Sequence, residues 1–286
     1  MTELSILPQP FKISNMKNWI LIYMLLTGNY LFAQVIPVGF LRPINTSIPT
    51  GTNPVTTNLL LYLDATRRAS YDASGGSIWY DISGLSPANS ATLVGSPTFS
   101  VTNRVGSFTM AANNYVLTSQ VISSLSSATF IAWVNPAEVQ NDYTGIITSR
   151  GGFAGASGGQ GIANGLMITT NNSRNLVSYV WNGTTSTYLW RSLVVIPNNE
   201  WSMIAVSIDS NGATAYILNS GGTSSATNPV SHPSVSGHQF YIGVDPYSPS
   251  AWAFKGKIAT SMVYSTALTL ANITSIFNAQ KAAFGI

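Results

Sequence analysis

The stretch Ala128-Thr-Phe-Ile-Ala-Trp-Val-Asn-Pro136 decides the fold. It carries no charge, mixes β-branched with aromatic side chains and stops at Asn-Pro, the composition of a short strand closed by turn residues. WSMIAVSID (201–209) repeats that character, and ATAYILN (213–219) follows it across Asn211-Gly212, a dipeptide suited to a hairpin turn. Working outward, similar runs occur at NLLLYLD (58–64), SIWYDI (77–82), TGIITS (144–149), LVSYVW (176–181), TYLWRSL (187–193), FYIGV (240–244) and KIATSMVYS (257–265). Asn182-Gly183 offers another hairpin turn. Ten or more such runs, spaced by Gly, Asn, Ser and Pro, predict an all-β antiparallel sandwich. One helix is predicted near Thr269–Ala283, where Leu270, Ile273, Ile276 and Phe277 form an apolar stripe and Thr269 can cap the first turn.

Composition agrees. Of 286 residues, 45% are apolar and only 7% charged, against roughly 25% charged in an average soluble domain. Polar surface must come from 37 Ser, 28 Thr, 24 Asn and 24 Gly. This excludes a charge-laced helical bundle, and 11% aromatic content argues against disorder. The net charge of +3 comes from scattered Lys and Arg with Arg67-Arg68 the only adjacent pair, so nucleic acid is not an expected partner. Absence of cysteine excludes disulfides, thiol catalysis and Cys-ligated zinc.

Residues 1–41 form an apolar N-terminal arm, 42–57 a Pro/Thr/Asn-rich linker and 58–286 the sandwich. Asn18–Leu41 has no charge and is long enough for a bilayer core, although Gly28-Asn29, Gln34 and Pro37 interrupt it. Two readings stay open: a signal peptide starting at Met16 and cleaved before Gln34, or a retained anchor making membrane contact through 18–41 or buried in an assembly.

Six segments, in order, resemble a laminin-G-like, concanavalin A-like domain. These are Leu61–Ala65 with Trp79–Gly84, Ala128–Pro136, Trp201–Ile208 with Ala213–Asn219, Tyr241–Asp245, Phe254–Ile258 and Val263–Leu268 leading into the helix. The resemblance spans about 58–286 and implies a two-sheet jelly roll that binds glycans or proteins. It also implies departures: Phe108–Val116 lacks the acids that many relatives carry there, and Asn272 stands where a Glu is usual, which weakens an inherited calcium site.

Catalysis is not expected. Glycoside hydrolysis needs two carboxylates flanking the scissile bond, and the three Glu are Glu3, Glu138 near a loop and Glu200 at a turn. The Glu-x-Asp-x-x-Glu strand of catalytic relatives is missing. His232 and His238 read as solvated loop histidines, and the Gly-rich run 151–161 lacks the Lys-Ser/Thr ending of a phosphate loop. Calcium, if bound, would draw on Asp72, Asp81 and Asp245, although Asp81 also suits a turn-capping role.

Aromatic side chains are the binding candidates, since sugar C–H faces stack on rings. Tyr179 and Trp181 share one strand face, as do Tyr188 and Trp190 on the next; Trp181, Tyr188 and Trp190 are therefore contact candidates, or else an aromatic ladder in the core. Tyr247 and Trp252 sit in a Pro/Ser loop and are the more exposed pair. Sequons occur at Asn45, Asn171, Asn182 and Asn272. The sequence thus describes a non-catalytic structural or binding module. The first reading is a virion surface or minor capsid-type protein contacting protein neighbours or glycans, with a homo-oligomer possible. The second is a secreted or surface-anchored bacterial carbohydrate-binding adhesin.

Overall fold

A computed structural model describes residues 53–122, 124–151, 163–182 and 189–286. The apolar arm, most of the linker and Tyr188 lie outside the described residues. No helix among the described residues is long and apolar enough to cross a membrane.

The strands in chain order are β1 (Leu59–Asp64), β2 (Ile78–Trp79), β3 (Ala91–Val94), β4 (Thr98–Thr102), β5 (Val105–Met110) and β6 (Tyr115–Thr118). Then come β7 (Ser124–Leu125), β8 (Ala128–Pro136), β9 (Thr144–Arg150), β10 (Ala163–Asn171), β11 (Arg174–Val180) and β12 (Leu189–Ile196). The last are β13 (Ser202–Asp209), β14 (Gly212–Asn219), β15 (Gly222–Asn228), β16 (Val235–Ser236), β17 (Phe240–Ile242) and β18 (Gly256–Tyr264), followed by helix α1 (Leu270–Gln280) and a 3-10 turn (Lys281–Phe284). Sixteen of these described strands build two eight-stranded antiparallel sheets, and β7 and β16 pair with each other apart from them. Sheet A runs β15-β14-β13-β8-β18-β5-β4, and β1 also pairs with β18; sheet B runs β12-β11-β10-β9-β17-β6-β3-β2. The first part of β18 pairs with β5 and its last part with β1, so one long strand serves two short ones.

β8 lies inside sheet A between β13 and β18. Its alternate residues Phe130, Ala132 and Val134 enter the core between the sheets, while Ile131 and Trp133 enter a second apolar cluster on the outer face of sheet A. A strand covered on both faces has no reason to alternate polar and apolar positions, which is why 128–136 reads as a continuous apolar run.

Helix α1 supplies that outer cover. Thr269 and Asn272 make a reciprocal capping box, and Ile273, Ile276 and Phe277 are buried. Trp133 stacks on Phe277 at 5.5 Å and on Phe284 at 3.8 Å between ring centroids. The same contact carries a polar chain: Trp133 Nε1 donates to Gln280 Oε1 (2.7 Å), Gln280 Nε2 to the Tyr62 hydroxyl (3.2 Å), and Tyr62 to Asp64 Oδ2 (2.7 Å). Thr66 donates its backbone N–H and hydroxyl to Asp64 Oδ1. The side chains of Trp133, Gln280, Tyr62, Asp64 and Thr66 thus satisfy one another within this buried relay.

The segment 243–254, between β17 and β18, folds against β9 of sheet B. The Gly145 N–H donates to Trp252 O (3.1 Å), the Gly243 N–H to Ile146 O (3.0 Å) and the Thr148 hydroxyl to Val244 O (2.7 Å). A Cβ on Gly145 would stand 2.2 Å from the Val244 carbonyl carbon, so only glycine permits this approach.

Candidate functional site

Segment 243–254 presents the aromatic side chains that the sequence marks as most exposed. Tyr247 and Trp252 are half-buried and stacked, 4.7 Å apart with planes 20° from parallel. Tyr143, which leads into β9, meets Trp252 at 5.2 Å and a 57° tilt. Three adjacent half-buried rings form a patch with apolar area and low entropy cost on binding.

Two arginine–carboxylate pairs fix this patch. Arg150, at the end of β9, donates Nε to Asp245 Oδ1 (2.7 Å) and Nη2 to Oδ2 (2.8 Å). Both side chains are almost wholly buried, and the guanidinium lies 5.3 Å from the Tyr247 ring centre. Asp245 Oδ1 also accepts the Tyr247 N–H (3.0 Å), so one carboxylate anchors the loop to the sheet and sets the start of the aromatic turn. The second pair is on the surface: Arg191 Nη2 lies 3.1 Å from Asp142 Oδ2, and its guanidinium sits 5.6 Å from the Tyr143 ring centre. Asp142 Oδ1 accepts the Thr170 N–H (2.8 Å), fixing the carboxylate. Exposed Asn141, which donates to Ala251 O (2.8 Å), completes the polar rim. Asp142–Tyr143 carried no signal beyond a turn before a strand; a positive φ of 65° at Tyr143 turns its ring toward Trp252.

The other aromatic candidates lie elsewhere. Tyr179 and Trp190 are register partners on β11 and β12, with rings 5.8 Å apart, as the hairpin reading anticipates. Tyr179 and Trp181 face the core and are fully buried; Trp190 is half-buried against the same core. Trp181 Nε1 donates to Pro233 O (2.8 Å). The Tyr179 hydroxyl accepts from Asn228 Nδ2 (2.7 Å) and lies 2.7 Å from His232 Nε2, and burial pushes its pKa up to about 12. His232 differs from the solvated loop histidine the sequence suggests: it is buried, because this core tyrosine needs a polar partner. Burial pushes its imidazole below the ordinary 6.5.

The three aspartates proposed for calcium are not brought together. Asp245 holds Arg150. Asp81 accepts the N–H groups of Tyr62, Ser83 and Asn89 and so ties β1 to the following turn. Asp72 is exposed, accepts the Ser74 N–H and lies 3.6 Å from Arg68. Among the described residues no group of three or more metal-ligating side chains could hold an ion. Asp64, whose carboxyl burial pushes above its ordinary 3.8, drew no role from the sequence because its burial, beneath a Tyr62 hydroxyl that Gln280 of α1 engages, exists only in the fold.

Among curated proteins none matches the chain. Among solved structures, domain 4 of AbnA, an extracellular arabinanase from Geobacillus stearothermophilus in complex with arabinotriose, is similar at 17% identity and a TM-score of 0.53; the match covers 77% of this chain and 98% of that one. Trypanosoma rangeli sialidase, in complex with sialic acid, is similar at 14% identity and a TM-score of 0.50 over 81% of this chain, but only 34% of the sialidase chain is covered. These likenesses establish the fold. The model of the concanavalin A-like lectin/glucanases superfamily matches residues 110–274, more than half of the chain, from β5 to α1. With two antiparallel sheets and a C-terminal helix arranged as the six sequence segments imply, the chain belongs to the concanavalin A-like lectin/glucanases superfamily.

Proposed function

We propose that the sandwich is a non-catalytic saccharide-binding module whose contact surface is the Tyr143–Trp252–Tyr247 patch. The observation that carries this reading is three half-buried rings bordered by an arginine–carboxylate pair that still reaches solvent. Sugar C–H faces pack on the rings, while vicinal hydroxyls take Arg191 donors and Asp142 acceptor oxygens. Both guanidiniums at the patch carry a carboxylate partner, so the surface has no net charge to spend on an acidic sugar and its ligand is a neutral saccharide.

The non-catalytic part of the proposal is supported by how the acids are engaged. Asp245 and Asp142 are held by arginines and Glu138 by Lys255, which leaves, among the described residues, no cation-free carboxylate pair across the patch to act as acid and base.

The test is calorimetric titration of the protein with a panel of neutral oligosaccharides. Trp252→Ala should weaken the best ligand by about tenfold or more, the cost of truncating an aromatic anchor. Val101→Ala, at an exposed position of β4 in the other sheet, should leave affinity unchanged. Binding untouched by Trp252→Ala would remove the patch from the account.

The setting we infer is a virion surface, with a secreted or cell-surface adhesin as the alternative. Support for a packed assembly comes from β12, an edge strand on which Leu193 is 81% exposed beside Val195. Intact mass of the natively produced protein separates the two settings. A full-length chain co-purifying with particles supports the first, and a chain starting at Gln34 in the medium supports the second.

A further inference from the structure

The outer face of sheet A is covered by α1 over only part of its area. Where β5, β18 and β8 run side by side, Lys257 is the register partner of both Thr109 and Asn135. Their sequence neighbours Phe108, Ile258 and Val134 are core residues of the sandwich, so strand alternation places the Thr109–Lys257–Asn135 row on the outer face. Side chains directly opposite on neighbouring strands stand about 5 Å apart. The row therefore forms one polar surface with an ammonium at its centre.

This row lines a cleft of about 410 Å³, together with Glu138, Asn199 and Lys255. That volume is in the range of small-ligand sites, about 300–1,000 Å³. The charges are unequal in their engagement. Lys255 Nζ is 2.7 Å from Glu138 Oε1, so that pair cancels. Lys257 is half-buried and, among the described residues, no carboxylate or other acceptor engages it; the side chains of Thr109, Asn135 and Asn199 are equally without a protein hydrogen bond. The cleft thus carries one uncompensated positive charge ringed by three groups able to donate or accept.

We propose that this cleft is a second saccharide site, specific for an oxyanion, the carboxylate of a uronate or a sulfate ester, on an acidic oligosaccharide. Lys257 takes the anionic group as a point charge, and Thr109, Asn135 and Asn199 take the adjoining hydroxyls. The site is on the opposite sheet from the aromatic patch and does not depend on it.

The test is an NMR titration of the isotopically labelled protein with three probes: tri-galacturonate, galactose 6-sulfate and neutral maltotriose. Saturable, salt-sensitive shifts of residues 109, 135 and 257 are expected with one or both acidic probes and not with maltotriose. Which acidic probe binds identifies the source of the oxyanion. Lys257→Gln should weaken that binding roughly tenfold, the scale of one hydrogen bond to a charged group. Lys257→Arg should retain it, and Glu138→Gln should tighten it by releasing Lys255. Spectral dispersion of each variant verifies its fold, and Trp252→Ala should leave the cleft's affinity as it was. The proposal is overturned if neither acidic probe saturates, if Lys257→Gln binds like the parent, or if Lys255→Gln weakens binding as much as Lys257→Gln, since that equality would mean diffuse charge attraction.

Discussion

Removing the Asp245 carboxylate should cost more than any other single change at the aromatic patch. Arg150 and Asp245 have side chains only 3% and 0% exposed and share two charge-assisted hydrogen bonds of 2.7 and 2.8 Å. Breaking a buried pair by deleting one partner typically costs about 3–5 kcal/mol, because the remaining charge stays in a low-dielectric site without its counter-ion. Asp245→Ala also deletes the acceptor of the Tyr247 N–H, so the turn that presents Tyr247 and Trp252 loosens with it. For a sandwich of this size each kcal/mol lowers Tm by about 2–4 °C, so Asp245→Ala should melt about 6–20 °C below the parent. Asp245→Asn keeps an acceptor for Tyr247 and isolates the charge. Arg150→Met with Asp245→Leu removes both charges and should recover most of the loss, since an apolar pair of similar volume replaces a buried ion pair at little or no cost. Urea denaturation followed by circular dichroism gives all three free energies. A loss below about 1 kcal/mol for Asp245→Ala would refute the reasoning, because that is the scale of a solvated surface pair.

The remaining predictions concern packing and pH. Gly145→Ala should destabilise by about 3 kcal/mol or more and abolish saccharide binding, because the added Cβ meets the Val244 and Asp245 backbone at 2.2–2.3 Å; normal melting of this variant would contradict the close approach. Trp133→Ala should cost about 3–5 kcal/mol, since it empties the slot between Phe277 and Phe284 and strips Gln280 of its donor; protease sensitivity at α1 checks the release. His232, depressed below 6.5 by burial, takes up a proton less readily folded than unfolded, so its contribution to stability should be lost as pH falls below about 6.5, and His232→Gln should flatten that part of the profile. Asp64 acts with the opposite sign. Its carboxyl is raised above 3.8, so the stability it contributes is complete below that value and lost as pH rises through the folded pKa; Asp64→Asn should remove this loss at neutral pH.

Strand content and topology class were legible because runs such as 201–209 and 213–219 are bounded by turn residues and pair in the structure as β13 and β14. The helix was legible from one stripe and one cap, and it starts at Leu270 behind Thr269 as expected. What sequence could not supply was which face of a strand meets solvent. In sheet A both faces of β8 are covered, so apolar content does not point inward or outward. In sheet B the Tyr179/Trp181 face could have been a ladder on either side; the buried His232 and Pro233 contacts settle it as core. Tyr143 and Asp142 gave no signal, because their role exists only once β9 and segment 243–254 meet. Asp245 looked like a calcium candidate because its arginine partner lies 95 positions away in sequence.

The most direct test of the central claim follows tryptophan indole N–H resonances during titration with a neutral oligosaccharide that binds. Trp133 and Trp181 donate their indole N–H groups inside the protein, at 2.7 Å to Gln280 and 2.8 Å to Pro233, and serve as internal standards. The account predicts that the Trp252 indole resonance shifts saturably while those of Trp133 and Trp181 stay in place. Saturable binding that leaves the Trp252 resonance unmoved would contradict it.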